Sequence, residues 1–369
     1  MRTAAIILPT YNESKTIATV IDKIIEITTP LATWDIHIVV VDSDSPDHTG
    51  KLVEDLKQTD TKKYKKLHVI KTTKEGLGKA YVQGFTMAIK ELKPYVLFQM
   101  DSDLSHDPAK IPEFLEKIEK GADFVLGSRY IKGGSIPKDW GLHRKIFSVC
   151  ANIFIRLGFM KLNVTDWTNG YRAIKVWIVQ NAIQEIQNYT GYVFQVALLD
   201  NAIKMKATIA ELPIQFIDRK EGESKINSFQ YILHTFIYVF THSSFIKFCI
   251  VGGIGFVVDF GISYLFINIL HAAVWTATLI SAESAIISNF LFNNYWSFSH
   301  KRSDNGMLWN FLKFNGISLG SIVIQAVGMQ LSSNIFGKEL WPIYKLIIII
   351  FVIIPYSYIF YNKFVWKDK

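Results

Sequence analysis

Apolar residues fall into two regimes along the chain. Over the first two thirds, short unbroken apolar runs at 4–8, 36–41, 68–70, 95–100 and 123–126 are separated by stretches with helical spacing at 15–27, 75–89, 108–120 and 142–157. Runs of that length without polar alternation predict strands buried on both faces of a parallel sheet. Strands and helices in alternation predict a doubly wound α/β domain. A last strand is expected over 210–219, ending in Arg219 ahead of a loop that reaches Lys225.

Beyond residue 243 the pattern changes to long apolar stretches at 248–270, 272–292, 308–331 and 343–361. Each is about long enough to cross a hydrocarbon core of ~30 Å. Lys313 and Gln325 interrupt the third. Just before these spans, Phe229, Ile232, Phe236, Val239 and Phe240 recur at helical spacing, which predicts an amphipathic helix lying in the bilayer surface. The expected organisation is a cytosolic α/β domain at 1–226, an interface helix at 227–243 and an all-α domain of four transmembrane helices at 244–369.

Charge orients this arrangement. The overall balance is +8, and past residue 243 the basic residues cluster at Lys247, at Lys301-Arg302 and in the tail from Lys363, with His271 and the Lys338-Glu339 pair on the opposite loops. The positive-inside rule then places both termini and the α/β domain in the cytosol, beside anionic headgroups. The positive balance is accounted for by the membrane, so no nucleic-acid partner is expected. The apolar start runs directly into Pro9-Thr10-Tyr11-Asn12-Glu13 with no cleavage pattern, so no signal peptide is expected. Cys150 and Cys249 are isolated, which indicates neither a disulfide frame nor a zinc site.

Candidate chemistry sits where strands end. The run at 95–100 stops in Asp101-Ser102-Asp103, and in a backbone that stays extended both carboxylates would leave one face. Carboxylates suit Mg²⁺ or Mn²⁺, and ligands of open α/β sheets bind beyond the carboxyl ends of strands. The bland reading is a solvated turn in which Asp107-Pro108 caps the next helix. A second acidic cluster, Asp42-Ser43-Asp44-Ser45-Pro46-Asp47, follows the 36–41 strand. The first turn lacks Gly-x-Gly-x-x-Gly, which removes the nicotinamide reading. Gly76-Leu77-Gly78-Lys79 opens a helix and could cradle phosphate, with helix-entry flexibility as the alternative.

Taken together, Pro-Thr-Tyr-Asn-Glu at 9–13, Asp-Ser-Asp-Ser-Pro-Asp at 42–47, Met-Asp-Ser-Asp-Leu-Ser-His at 100–106, Gly-Ser-Arg-Tyr at 127–130, Gly-Tyr-Val-Phe-Gln at 191–195 and Asp-Arg with Ser-Lys at 218–225 resemble the dolichyl-phosphate mannose synthases of the family-2 inverting glycosyltransferases. The membrane part, through Asn289-Phe-Leu-Phe-Asn-Asn-Tyr-Trp-Ser-Phe298, looks like a GtrA-type domain. The resemblance implies a GT-A (Rossmann-like) fold and assigns roles by position. Pro9, Tyr11, Glu13, Val41, Asp42 and Ser43 fall at the nucleotide; Asp101 and Asp103 at the metal and donor diphosphate, with Ser102 alongside. Arg129, Arg219 and Lys225 fall at phosphates of donor or acceptor, and with Asp103 they form the implied catalytic set. Ser43 replaces the usual second acid after the second strand. Ser105, which stands where some relatives carry a glutamine near the metal, is carried as a third candidate ligand.

The implied reaction is attack of a dolichyl or polyprenyl phosphate oxygen on the anomeric carbon of a nucleotide sugar, GDP-mannose by resemblance and UDP-glucose as the alternative. A processive polysaccharide synthase would carry Gln-x-x-Arg-Trp, which does not occur here. A lipid-linked-sugar flippase with a regulatory soluble half is the rival from another class, resting on Asp259 and Glu283 inside spans. The bland reading of both acids is that they face the bundle and pair with Ser, Asn or Trp donors.

Overall fold

The computed structural model describes residues 1–189, 191, 193–217, 228–299, 301, 306–337 and 339–367. Arg219 and Lys225 lie outside the described residues. The strand expected over 210–219 is shorter than expected, ending at Pro213. The chain divides into two compact units, Met1–Val239 and Phe240–Lys369.

The first unit is built on a sheet of β1 (Arg2–Thr10), β2 (Trp34–Asp42), β3 (Leu67–Lys71), β4 (Val96–Gln99), β5 (Phe124–Ser128), β6 (Arg172–Lys175) and β7 (Ile209–Pro213), in the order β3-β2-β1-β4-β6-β5-β7. The apolar runs formed the expected strands because each is buried on both sides. Ala4, Ile6 and Leu8 join Ile38, Val40, Phe98 and Met100 under α1 (Ile17–Thr28) and α4 (Ile111–Glu119). On the opposite face, α3 (Leu77–Met87) packs so closely that a Cβ at Gly84 would come 2.4 Å from Ile7 Cγ2.

The sheet is not the all-parallel one expected. The sheet is mixed, because β6 runs antiparallel to both β4 and β5. It is only four residues long and begins and ends in a cation, so no apolar run announces it. Its Arg172 is nonetheless fully buried, its guanidinium donating to the carbonyls of Asn169, Gln195 and Trp167 at 2.8, 2.6 and 2.9 Å.

The remaining described helices of this unit are α2 (Thr49–Thr59), α5 (Leu142–Phe159), α6 (Val176–Ile186), α7 (Val193–Lys204) and α8 (Ser228–His242), whose last three residues belong to the second unit. On α8, Ile232, Leu233, Phe236, Ile237 and Phe240 are exposed, as an interface helix requires. Val239, expected on the same face, is instead fully buried, and Tyr238 beside it donates to Asp200 at 2.9 Å. Phe229 lies among the side chains outside the description. Leu142, Ile146, Phe147, Ile153 and Leu157 of α5 are also exposed, and Phe154 stacks on Phe236 at 5.2 Å.

Among its described residues the second unit has four helices long and apolar enough to cross a membrane: α9 (Ser244–Ile269), α10 (Val274–Ser297), α11 (Met307–Phe336) and α12 (Ile343–Val365). Lys313 and Gln325 do not break α11, which is one continuous helix. In α12 a π turn at Ile349–Ile353 precedes Pro355, accommodating the proline's missing N–H within the helix. The Asn289 side chain nests against Gly255, where a Cβ would come 2.2 Å from its Oδ1. Asp259 Oδ1 accepts from Ser281 Oγ at 2.6 Å, the bland pairing between α9 and α10. Glu283 is on the exposed surface of α10 rather than facing the bundle.

Candidate active site

The strand register brings Pro9 beside Val41 and Thr10 beside Asp42, with Ile7 beside Gln99 at the end of β4. The carboxyl ends of β1, β2 and β4 therefore open onto one rim. Three loops meet there and are stitched by side chains. Ser102 Oγ donates to the Pro9 carbonyl at 2.9 Å, and Thr16 Oγ1 donates to the Ser102 carbonyl at 2.9 Å. Asp47 accepts from the Ser14 N–H at 3.0 Å, and Thr49 Oγ1 accepts from the Glu13 N–H at 3.0 Å.

That stitching consumes part of the second acidic cluster. Asp42 is buried, accepting from Thr10 Oγ1 at 3.0 Å, Ser45 Oγ at 2.5 Å and the Ser45 N–H at 3.2 Å. Its carboxylate organises the loop. Ser43 is buried and donates its N–H to the Thr10 carbonyl at 3.0 Å. The Val41 side chain is fully buried against Gly84, so only its backbone reaches the rim. Tyr11 is partly exposed with the Lys74 ammonium 3.7 Å from its ring centroid, a cation–π contact at the place expected for the nucleotide.

Asp101 and Asp103 reach the rim by a different route from the extended strand envisaged for them. β4 ends at Gln99, the backbone bends through 102–106, and Leu104 adopts a left-handed φ of 65°. The Ser105 N–H donates to Asp103 Oδ1 at 3.0 Å. The Asp101 N–H donates to His106 Nδ1 at 3.0 Å, and the His106 ring is buried in a stack on Tyr171 at 4.8 Å. Just beyond, Asp107 Oδ1 accepts from the Ala109 N–H at 3.0 Å with Pro108 next to it, so the capping role belongs to Asp107 and leaves the earlier pair for the site. Tyr81, buried below, has its hydroxyl held well above the ordinary phenol value by burial first and then by the charge of Asp101.

Two carboxylates supply the hard oxygens that Mg²⁺ or Mn²⁺ requires. Among the described residues no group of three or more His, Cys, Asp or Glu could hold a metal, so a cation on the two aspartates would need further oxygens from hydroxyls, water or a bound ligand. The buried Ser105 Oγ, beside Asp103, has no hydrogen-bond partner among the described residues, which fits its place as a further oxygen donor. The residues present fit a divalent cation.

Arg129, at the carboxyl end of β5, is half-buried with its guanidinium on Asp166 (Nε–Oδ2 2.7 Å, Nη2–Oδ1 2.8 Å) and on Thr168 Oγ1 at 2.8 Å. The segment 165–172 carries this partner and is bonded throughout. Thr165 donates to Glu211, Asn152 accepts from the Trp167 N–H at 2.7 Å, and Asn169 donates to the Gly127 carbonyl at 2.7 Å. Neither this segment nor His106 is given a role by the sequence motifs. The available signal was its mixture of Trp, Tyr and hydrogen-bonding residues, unlike a solvated loop. Lys79 is half-exposed at the start of α3, and Gly78 answers to packing, since a Cβ there would come 2.5 Å from the Tyr189 carbonyl oxygen.

The sequence pattern described as Glycosyl transferase family 2 matches residues 5–183, and the GtrA/DPMS transmembrane domain matches 247–366. The chain is 32% identical over 332 residues to a dolichol-phosphate mannosyltransferase of Pyrococcus furiosus, covering 88% of each. It is 34% identical over 223 residues to a polyprenol monophosphomannose synthase of Mycolicibacterium smegmatis, covering 60% of this chain and 80% of the relative. It is 35% identical over 223 residues to an undecaprenyl-phosphate mannosyltransferase of Micrococcus luteus, covering 60% and 86%. A mixed α/β sheet with its acidic loop at the strand ends, joined to four membrane-length helices, thus has a place: the chain belongs to the family-2 glycosyltransferases, in the dolichyl- and polyprenyl-phosphate mannose synthase group that carries a GtrA/DPMS transmembrane domain.

Proposed function

We propose that this glycosyltransferase moves mannose from GDP-mannose to dolichyl or polyprenyl phosphate at the cytosolic face of the membrane, with inversion, giving a lipid-monophosphate sugar. The observation that carries the reading is the position of Asp101 and Asp103, on a bent loop where β1, β2 and β4 end, in a unit whose α5 and α8 expose apolar faces. Those faces support a catalytic unit resting in the bilayer surface, where a lipid phosphate rises only as far as the headgroups. The names of the matched relatives supply mannose and the polyprenyl acceptor, and the clustering of Lys and Arg on one set of membrane loops supplies the cytosolic side.

A phosphate monoester has its second pKa near ~6, so the acceptor is mostly dianionic at neutral pH and needs no general base. Mg²⁺ or Mn²⁺ held by Asp101 and Asp103, with Ser105 alongside, would neutralise charge on the departing nucleoside diphosphate. The chain's own work is positioning. Tyr11, Glu13 and the backbone of Pro9 and Val41 frame the nucleotide, while Asp42 and Ser43 fix the loop behind it. Arg129 sets positive charge and shape on the phosphate side while its fork holds Asp166, and Arg219 and Lys225 grip phosphate oxygens.

The test offers full-length protein in membranes a panel of GDP-mannose, UDP-glucose, UDP-galactose and UDP-N-acetylglucosamine with Mn²⁺ and a polyprenyl phosphate. GDP-mannose alone should yield a new glycolipid. A product formed from UDP-glucose instead would replace the donor assignment.

A further inference from the structure

We propose that His106 is a positioning residue that fixes the carboxylate of Asp101 through a donor nitrogen of settled tautomer. This rests on the reading of Asp101 as a ligand to the divalent cation. The Asp101 N–H donates to His106 Nδ1 at 3.0 Å, which places the single proton of a neutral ring on Nε2. His106 Nε2 is buried, has no hydrogen-bond partner among the described residues, and lies 3.7 Å from Asp101 Oδ2. One imidazole therefore accepts from the backbone of this aspartate and faces its carboxylate. A small rotation of that carboxylate closes the gap to a hydrogen bond.

The ring itself cannot swing away. It stacks on Tyr171 at 4.8 Å and meets Phe216 edge-on at 5.9 Å, and Tyr171 is in turn anchored by donating its hydroxyl to the Asp107 carbonyl at 3.0 Å. Gly170 lies on the other side of Asp101. A Cβ there would lie 3.8 Å from Asp101 Oδ1, 3.7 Å from His106 Cε1 and 3.4 Å from Gln195 Nε2, all ordinary contact distances. Both amide atoms of the buried Gln195 are without a partner among the described residues. The Asp101 carboxylate thus has the His106 ring nitrogen 3.7 Å from one oxygen, with Gly170 beside the other and the unspent Gln195 amide beside Gly170. Groups that orient a ligand in this way typically change metal affinity by ~10- to 100-fold when removed.

The experiment titrates Mn²⁺ by electron paramagnetic resonance into full-length protein with GDP present, for wild type, His106→Phe, His106→Gln and His106→Asn, alongside the melting temperature of each. Glutamine keeps a donor near the Nε2 position, whereas asparagine keeps only an acceptor near Nδ1. The expected result is Mn²⁺ affinity lowered ~10- to 100-fold in His106→Phe and His106→Asn, with His106→Gln recovering most of it, independent of the order of melting temperatures. Affinity that simply follows melting temperature, or that His106→Asn restores better than His106→Gln, overturns the proposal and leaves a packing role. If wild type binds no Mn²⁺ with GDP while His106→Phe melts normally, the metal reading of Asp101 fails, and the positioning role with it; wild-type binding unchanged in every variant removes the positioning role alone.

Discussion

Arg129 and Asp166 form a buried two-point ion pair, Nε to Oδ2 at 2.7 Å and Nη2 to Oδ1 at 2.8 Å, and the Arg129 N–H donates to Oδ2 at 3.0 Å as well. The Asp166 side chain has no solvent exposure, so its charge depends on that arginine for compensation. Removing one partner of such a pair costs about 3 to 5 kcal/mol, because the other is left buried and unpaired. Asp166→Ala should therefore lower stability by an amount in that range and also lower activity, since the loop bearing Trp167 and Gly170 loses its anchor. Thermal unfolding of the full-length protein in detergent, followed by tryptophan fluorescence, checks the first. An unchanged melting temperature would mean the pair is not compensated as described.

His37 and His68 stack at 5.2 Å with His37 Nδ1 and His68 Nε2 3.0 Å apart, on neighbouring strands of the first unit. Burial first, and then the charge of His37, push the His68 pKa below its ordinary value. The folded pKa is below the unfolded value of ~6.5, so the unfolded chain takes up the proton more readily and stability is lost as pH falls. The melting temperature should be level above about pH 7 and decline below ~6.5. His68→Gln should flatten part of that decline. Parallel pH curves for wild type and His68→Gln would remove His68 as its source.

Gly78 and Lys79 separate packing from phosphate binding at the start of α3. Gly78→Ala places a methyl 2.5 Å from the Tyr189 carbonyl oxygen and should cost roughly 1 to 3 kcal/mol. Lys79→Ala should change stability by less than about 0.5 kcal/mol and leave the donor KM unchanged. A large rise in donor KM for Lys79→Ala would restore the phosphate cradle.

Arg219 and Lys225 were assigned to phosphate from sequence, and kinetics can weigh that assignment directly. Charge-assisted contacts to phosphate are worth roughly 1.5 to 3 kcal/mol, so Arg219→Ala should lower kcat by ~10- to 100-fold. Arg219→Lys should recover only part of it, because the two-pronged fork is lost. Wild-type kcat and KM in Arg219→Ala, with saturating donor and varied polyprenyl phosphate, would leave a solvated loop.

Much of the fold was legible because burial on both faces writes itself as unbroken apolar runs, as in 4–8 and 36–41, and because a membrane span needs about 20 apolar residues. β6 was not legible: Arg172 is buried through three carbonyls, an arrangement that no periodicity records. The acidic cluster at 42–47 read as a site, yet Asp42 and Asp47 bond to Thr10, Ser45, Ser14 and Thr49. Residue type marked where carboxylates gather; only contacts separate those that hold loops from those that face the rim. The same limit hid Asp166 and His106, whose partners are distant in sequence or are backbone atoms.

The most direct measurement of the central claim is the mass of the lipid product. Membranes containing wild-type or Asp101→Asn protein receive GDP-mannose, a defined polyprenyl phosphate and Mn²⁺, with and without EDTA, and the lipid extract is weighed by mass spectrometry. Wild type should add one hexose to the polyprenyl phosphate, with no second phosphate, and both EDTA and Asp101→Asn should abolish that species. A hexosyl lipid formed at the wild-type rate in EDTA, or by Asp101→Asn, would contradict the account.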